Sequence, residues 1–243
     1  MPISLYTIPG EASECSYLPL ETQRMEYRLC RGLDGAEFEP LLSRGWRRFG
    51  QVLFRPKCPA CVQCRGIRID VHDFKPSRAQ RRALKRNEDV ELVVRRASYS
   101  ADHQRLYDAY HADMHERRDW PMRTVTRAEY HDSFMAGNSL CGHDFLYYRA
   151  GRLEGVGVVD LTPNALSAVY FYHAPAWRPL GPGIFSIMRQ IEFARATGRR
   201  HVYLGFWVSA CQSMSYKSQF TPHELLAAFV SDDEQPEWRK IEE

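Results

Sequence analysis

The 243-residue chain has no apolar run approaching the ~20 residues a membrane helix needs, and Met1–Glu14 lacks the basic stretch followed by an apolar segment that marks a secretory leader. A membrane span and export are therefore excluded as readings of the sequence, and a cytoplasmic protein is expected. Its seven cysteines are an odd number, three of them crowded together, where a secreted disulfide framework shows even counts in a smaller chain. Reduced thiols are the consequence. No Ser, Cys or His nucleophile pattern is evident. Acidic residues are scarce in one place: from Arg44 to Arg86 thirteen Lys/Arg face only Asp70 and Asp73, although the whole chain carries a net charge of just +3. Apolar content is ample, 44% of residues with 12% aromatic, enough for a sizeable core.

The basic stretch is also the most ordered. Cys58, Cys61 and Cys64 are spaced C-x-x-C-x-x-C, close enough to bring several sulfurs to one metal. Gly66–Val71 alternates Ile67 and Ile69 with Arg68 and Asp70, the pattern of a half-buried strand. Ser77 stands three residues before Gln80, a capping-box start, and predicts a helix on which Arg78, Arg81, Arg82, Lys85 and Arg86 share one face. Like charges at this spacing cost roughly 0.2–0.5 kcal/mol per pair, and no acid is placed to offset them before Glu88 and Asp89. An unbalanced stripe of this kind fits a polyanion such as nucleic acid; a solvated surface is the alternative.

The runs RPKCPACVQC (residues 55–64) and IRIDVHDFKPSRAQRRALKRN (residues 67–87) resemble the signature of the aminoacyl-tRNA–protein transferases, the bacterial aspartate/glutamate leucyltransferases and eukaryotic arginyltransferases. The resemblance implies transfer of an amino acid, leucine or arginine, from aminoacyl-tRNA to the N-terminal Asp or Glu of acceptor proteins, which marks them for degradation; the short chain favours leucine. It implies no cofactor for the transfer itself. Cys15 occupies the place of the cysteine that opens the family's N-terminal motif. With the triad it completes four thiols, a set that zinc or an iron–sulfur cluster would fill in a structural or regulatory role. Unlike the eukaryotic pattern, Cys61 is followed by Val62 and Gln63 rather than by a second cysteine and proline. A coincidental group of buried thiols is the competing reading, and Cys30, Cys141 and Cys211 are read as structural.

From Glu91 onward the chain turns to longer elements. Ala101–His115 places Leu106, Tyr107, Tyr110 and Met114 on one helical face, and Thr126 with Glu129 opens another helix that directs Tyr130 and Phe134 inward. His103, His111 and His115 lack a completing carboxylate or cysteine and are read as surface or core residues. Strands are expected over residues 145–148, 155–161, 168–172 and 202–206, with a helix from Gly183 to Gly198 before the last. The order describes an α+β fold, a GNAT-like acyltransferase domain at residues 77–230 behind a small N-terminal cysteine-containing domain at 1–76, with an acidic, solvated tail at 231–243.

Arg178–Gly183 formally matches the R-x-x-G-x-G loop by which acetyltransferases hold the pyrophosphate of acyl-CoA through backbone N–H groups. Pro179 and Pro182 have no N–H to offer, so an acyl-CoA-dependent N-acyltransferase is the second hypothesis and a different donor the first. The glycines also suit a plain strand-to-helix connection. Leu204–Glu224 resembles the transferases' C-terminal motif. Within it Tyr216 can relay a proton and Lys217 can stand beside a phosphate or a developing oxyanion, unless the first merely anchors the segment and the second only snorkels. Asp160, at the end of a strand, is the candidate to take the proton of the acceptor's α-amine. The basic helix is expected to meet tRNA phosphates, with Arg78, beside the cap, turned to the acidic acceptor.

Overall fold

The computed structural model describes residues 6–136 and 141–242. The chain opens with strands β1 (Thr7–Pro9), β2 (Ser13–Glu14), β3 (Thr22–Gln23) and β4 (Met25–Leu29). Helix α1 (Gly35–Ser43) starts where Asp34 and Glu37 form a capping box. Strands β5 (Arg47–Phe49) and β6 (Val52–Pro56) follow, meeting at Gly50, whose left-handed φ of 53° and contact with the Asp132 carbonyl leave no room for a side chain. These make an antiparallel sheet in the order β1-β4-β6-β5, with Phe38, Leu42, Trp46 and Leu53 packed between it and α1.

The second half runs β7 (Arg65–Asp70), α2 (Arg78–Arg86), β8 (Glu91–Arg96), α3 (Ala101–Arg118), the short α4 (Arg127–Tyr130), β9 (Gly142–Arg149), β10 (Arg152–Leu161), β11 (Ala165–His173), α5 (Pro182–Ala196), β12 (His201–Trp207), the short α6 (Gln212–Ser215), β13 (His223–Leu226) and β14 (Trp238–Ile241). One eight-stranded sheet takes them in the order β14-β13-β7-β12-β11-β10-β9-β8. Its only parallel neighbours are β11 and β12, joined by α5 as such a crossover requires. Successive side chains divide between two faces: Phe145, Tyr147 and Val159 meet α5 through Phe185, Met188 and Ile191, whereas Leu146, Val156 and Val158 meet α3 through Leu106 and Tyr107. This is the α+β, GNAT-like arrangement implied by the order of elements.

Two boundaries drawn from the sequence do not hold. The division at residue 76 would leave β7 in the cysteine-containing part, yet β7 lies inside the large sheet between β13 and β12. Ile67, Ile69 and Val71 are fully buried in the main core, and that burial decides their place rather than their neighbours in sequence. The stretch 231–243 is likewise no free tail. Within it β14 pairs with β13, the Trp238 indole donates to the Ser43 carbonyl at 3.1 Å, and Asp232 pairs with Arg28 at 2.8 Å.

Candidate active site

The parallel pair β11 and β12 is bonded only over Ala165–Ser167 and His201–Tyr203. Beyond that point the strands part, and the gap opens into a cavity of about 1020 Å³. Strand β11 lines it with Phe171 and His173, β12 with Leu204, the start of α5 with Ile184 and Ile187, and the end of α3 with Met114, Arg117 and Arg118. Tyr216 and Lys217 close it from the segment after α6.

A bulge builds the floor around Lys217. The register between β12 and β7 shifts between Tyr203 and Phe206, and Gly205 takes a left-handed φ of 83°. The bulge turns two carbonyls out of the ladder: Gly205 O accepts from Arg47 at 3.2 Å and Phe206 O accepts from the Lys217 ammonium at 2.6 Å. A Cβ on Gly205 would stand 3.8 Å from Lys217 Nζ. Burial, with the Arg47 guanidinium nearby, pulls the Lys217 pKa down to about 8. Burial and neighbouring Tyr110 push the Tyr216 phenol up to about 12, so it enters the cavity as a proton donor.

The structure corrects the role expected of Asp160. Its carboxylate is fully buried on β10 and held by Arg48, Nη2 to Oδ1 at 2.8 Å and Nε to Oδ2 at 3.1 Å, and it does not line the cavity. A carboxylate locked to a guanidinium between two sheets is a joint, not a base. The same holds for part of the positive charge between residues 44 and 86. Arg47, Arg48 and Arg55 are buried, and Arg55 pairs with Glu26.

The basic helix is different. On α2, capped by Ser77 and Gln80, the side chains of Arg78, Arg81, Arg82, Lys85 and Arg86 are all exposed, while Gln80, Ala83 and the C-cap Asn87 are buried. No acid pairs with the five cations among the described residues. The inner face ties the helix to the cavity rim: Gln80 Nε2 donates to Gln219 O at 3.0 Å and Asn87 Nδ2 to Leu180 O at 2.9 Å, while Gln219 and Gly181 line the cavity. Arg78 itself lies outside the lining.

Cys15, Cys58, Cys61 and Cys64 line one small cavity. Backbone N–H groups of Tyr17 and Arg24 point at Cys15 Sγ and Cys58 Sγ, each at 3.5 Å. Burial, then the charges of Cys58, Cys15, Cys61 and Cys211, raise the Cys64 thiol to about 12. Four convergent soft donors fit zinc or an iron–sulfur cluster in kind, although no three ligands stand at metal-binding separation among the described residues. Such a group would neutralise the thiolates and cross-link the loop at 15–24 to that at 58–64. Of the remaining cysteines, Cys30 and Cys141 are buried as read from the sequence, but Cys211 lines the large cavity.

Residues that sequence reasoning missed are Arg117 and Arg118, with Asp113 behind them; they join Arg178, singled out above in the R-x-x-G-x-G match. Asp113 accepts from Arg117 at 3.2 Å and also pairs with Arg178. The only local signal was a pair of arginines at a helix end, which charge patterning alone assigns to dipole complementation.

Splayed strands and an open cavity lined by a buried lysine beside a phenol are suited to acyl transfer. The family model described as arginine-tRNA-protein transferase, C terminus, matches residues 102–227, and that described as its N terminus matches residues 13–82. The aspartate/glutamate leucyltransferase of Helicobacter hepaticus is 32% identical over 229 residues, 94% of this chain and 95% of the relative. That of Aeromonas hydrophila is 37% identical over 232 residues, covering 94% and 92%, and that of Pseudoalteromonas atlantica 38% over 218 residues, covering 88% and 91%. The chain belongs to the arginine-tRNA-protein transferase family and is an aminoacyltransferase. These matches do not favour the acyl-CoA hypothesis. Among solved structures, L-PGS from Bacillus licheniformis aligns at a TM-score of 0.47 and 10% identity over 60% of this chain and 46% of that one, and FemX at 0.45 and 8% over 83% and 79%. No helix among the described residues is long and apolar enough to cross a membrane.

Proposed function

We propose that this chain transfers leucine from leucyl-tRNA to the α-amine of cytoplasmic proteins beginning with Asp or Glu, marking them for degradation. The observation that carries the reading is the absence of any Asp or Glu among the described residues lining the large cavity, which instead presents Arg117, Arg118, Arg178 and Lys217. An arginyl side chain would find no counter-charge in that lining. A leucyl side chain finds Ile184, Ile187, Leu204 and Met114, and an acidic acceptor finds the cations. The names of the relatives support the same donor and acceptors. The exposed cations of α2 at the rim support the tRNA as the carrier.

The chemistry needs no covalent intermediate, because the donor is already an ester. The acceptor's amine attacks the ester carbonyl; a C–N bond forms, the C–O bond to the tRNA ribose breaks, and one proton moves from nitrogen to that ribose oxygen. With a pKa of about 8, Lys217 is partly neutral near pH 7 and is the group placed to accept the amine's proton, the part that Asp160 cannot play. The Tyr216 hydroxyl donates to the oxyanion of the tetrahedral intermediate. Single-turnover assays with labelled leucyl-tRNA, arginyl-tRNA or acetyl-CoA and an Asp-initiated peptide test the whole reading. Leucine is expected to transfer at least ~100-fold faster than arginine, the discrimination a pocket lacking a counter-charge provides. Equal transfer of arginine, or transfer from acetyl-CoA alone, defeats it.

A further inference from the structure

The three arginines at the cavity are not equivalent. Asp113 accepts from Arg117 and pairs with Arg178, so each of those guanidinia already holds a carboxylate, one that the two share. Arg118 is exposed at the end of α3, and among the described residues its guanidinium reaches only a neutral oxygen, Gln212 Oε1, at 2.8 Å. A guanidinium left beside an amide at the mouth of a cavity without acids is poised for a carboxylate from outside. Resting on the transfer reading above, we propose that Arg118, assisted by Gln212, is the residue that recognises the side-chain carboxylate of the acceptor's N-terminal Asp or Glu.

Spacing along the chain supports the assignment. Gln212 opens α6 and Tyr216 follows it by four residues, one turn, a rise of about 6 Å in α-helical geometry. In an N-terminal Asp the α-amine and the side-chain carboxylate carbon are separated by about 3–4 Å, and in Glu by up to about 5 Å, given bonds near 1.5 Å. A carboxylate on the Arg118–Gln212 pair therefore leaves the α-amine within reach of Tyr216 and Lys217, where the ester must lie. Aspartate and glutamate differ by one methylene, a length the exposed, flexible Arg118 side chain absorbs. Asn and Gln, isosteric but neutral, offer one acceptor oxygen and no opposite charge, so they form neither the ion pair nor the two-pronged bond. The Gln212 amide swings to donate its N–H₂ once a carboxylate replaces it on the guanidinium.

The test compares the full-length chain with Arg118→Gln, Arg118→Glu and Gln212→Ala in leucyl transfer to peptides that begin with Asp, Asn or Lys. In Arg118→Gln the preference for Asp over Asn is expected to fall by about 10- to 100-fold, the worth of a charge-assisted hydrogen bond, through KM for the peptide and with leucyl-tRNA affinity unchanged. Arg118→Glu is expected to shift preference toward the Lys-initiated peptide, a gain that misfolding cannot produce. Gln212→Ala should weaken Asp discrimination by less than Arg118→Gln does. If the unaltered protein transfers leucine to the Asp peptide and both Arg118 variants keep its discrimination, the assignment is overturned while the transfer reading stands. If the unaltered protein transfers no leucine to any peptide, both fail together.

Discussion

Lys217 is where backbone geometry and burial set the charge of a side chain. Its ammonium donates to the Phe206 carbonyl beside the bulge at Gly205, whose left-handed φ is one that residues with a side chain rarely adopt. A lysine held at about 8 costs stability while it is charged, a common property of residues kept for function. The sign follows from the depressed pKa: between about 8 and the ordinary 10.4 the unfolded chain binds a proton that the native state does not, so stability rises with pH across that window, and below it the native state carries the full penalty. Lys217→Met is therefore expected to stabilise the protein at pH 7 by about 1 kcal/mol, an advantage that fades toward pH 10.5, while transfer falls by about 10²–10³. Urea unfolding at pH 7 and pH 10 and single-turnover kinetics supply the two readings. Lys217→Arg separates the residue's two possible contributions, because a guanidinium keeps the charge and cannot take the proton. If that variant keeps more than a tenth of the wild-type rate, the lysine acts through its charge alone. Tyr216→Phe should lower turnover by about 10- to 100-fold with little change in KM.

Helix α2 shows what a periodic element discloses and what it withholds. Its start at Ser77 and its cationic stripe are legible because both depend on contacts within one turn, and the structure exposes all five cations. Its inner face was not legible. Gln80 read only as the partner of the Ser77 cap and Asn87 only as the end of a motif, yet both are buried and bonded to segments 139 and 93 residues away, at the rim of the cavity. Asp160 failed for the same reason, since its partner Arg48 is 112 residues distant and nothing in local spacing couples them. If the stripe carries the tRNA, each phosphate it neutralises releases counterions, and the slope of log K against log salt steepens by roughly 0.7–0.9 per contact. Arg82→Ala and Lys85→Ala should each flatten that slope by at most about one unit and leave the preference between Asp and Asn acceptors unaltered. An unchanged slope in both variants would mean that the tRNA lies elsewhere.

At the scale of the molecule, the order of elements and the strands from β9 to β12 follow from alternation and turn residues, whereas the partition into domains does not. Ile67 and Ile69 announce a buried strand but not the sheet that buries it, and β7 crosses from the cysteine-containing half into the centre of the other. The acidic end looks solvated by composition, yet it closes the edge of that sheet, because Trp238 supplies an aromatic surface under the Arg68 guanidinium at 4.3 Å. A fold welded in this way should lose stability as one unit when it is acidified. Burial lowers the pKa of His111, His143, His173 and His223, and burial with Arg68 and Arg200 lowers that of His201 to about 4. The unfolded chain takes up protons on these imidazoles below about 6.5 while the native chain refuses them, so stability is intact above that pH and drains away as pH falls toward 4. His201 alone should cost about 1 kcal/mol of unfolding free energy per pH unit within the window. The depressed carboxylates Glu39 and Asp70 contribute only at lower pH, because the unfolded chain begins to protonate them near 4. Urea unfolding at pH 7.5 and 5.5 is expected to show a clear fall in midpoint with a single transition at each pH, and His201→Gln is expected to recover about 1 kcal/mol of the loss. A midpoint that stays flat from 7.5 to 5.5 would mean that these histidines take up their protons in the folded protein, and a second transition would mean that the two sheets unfold separately.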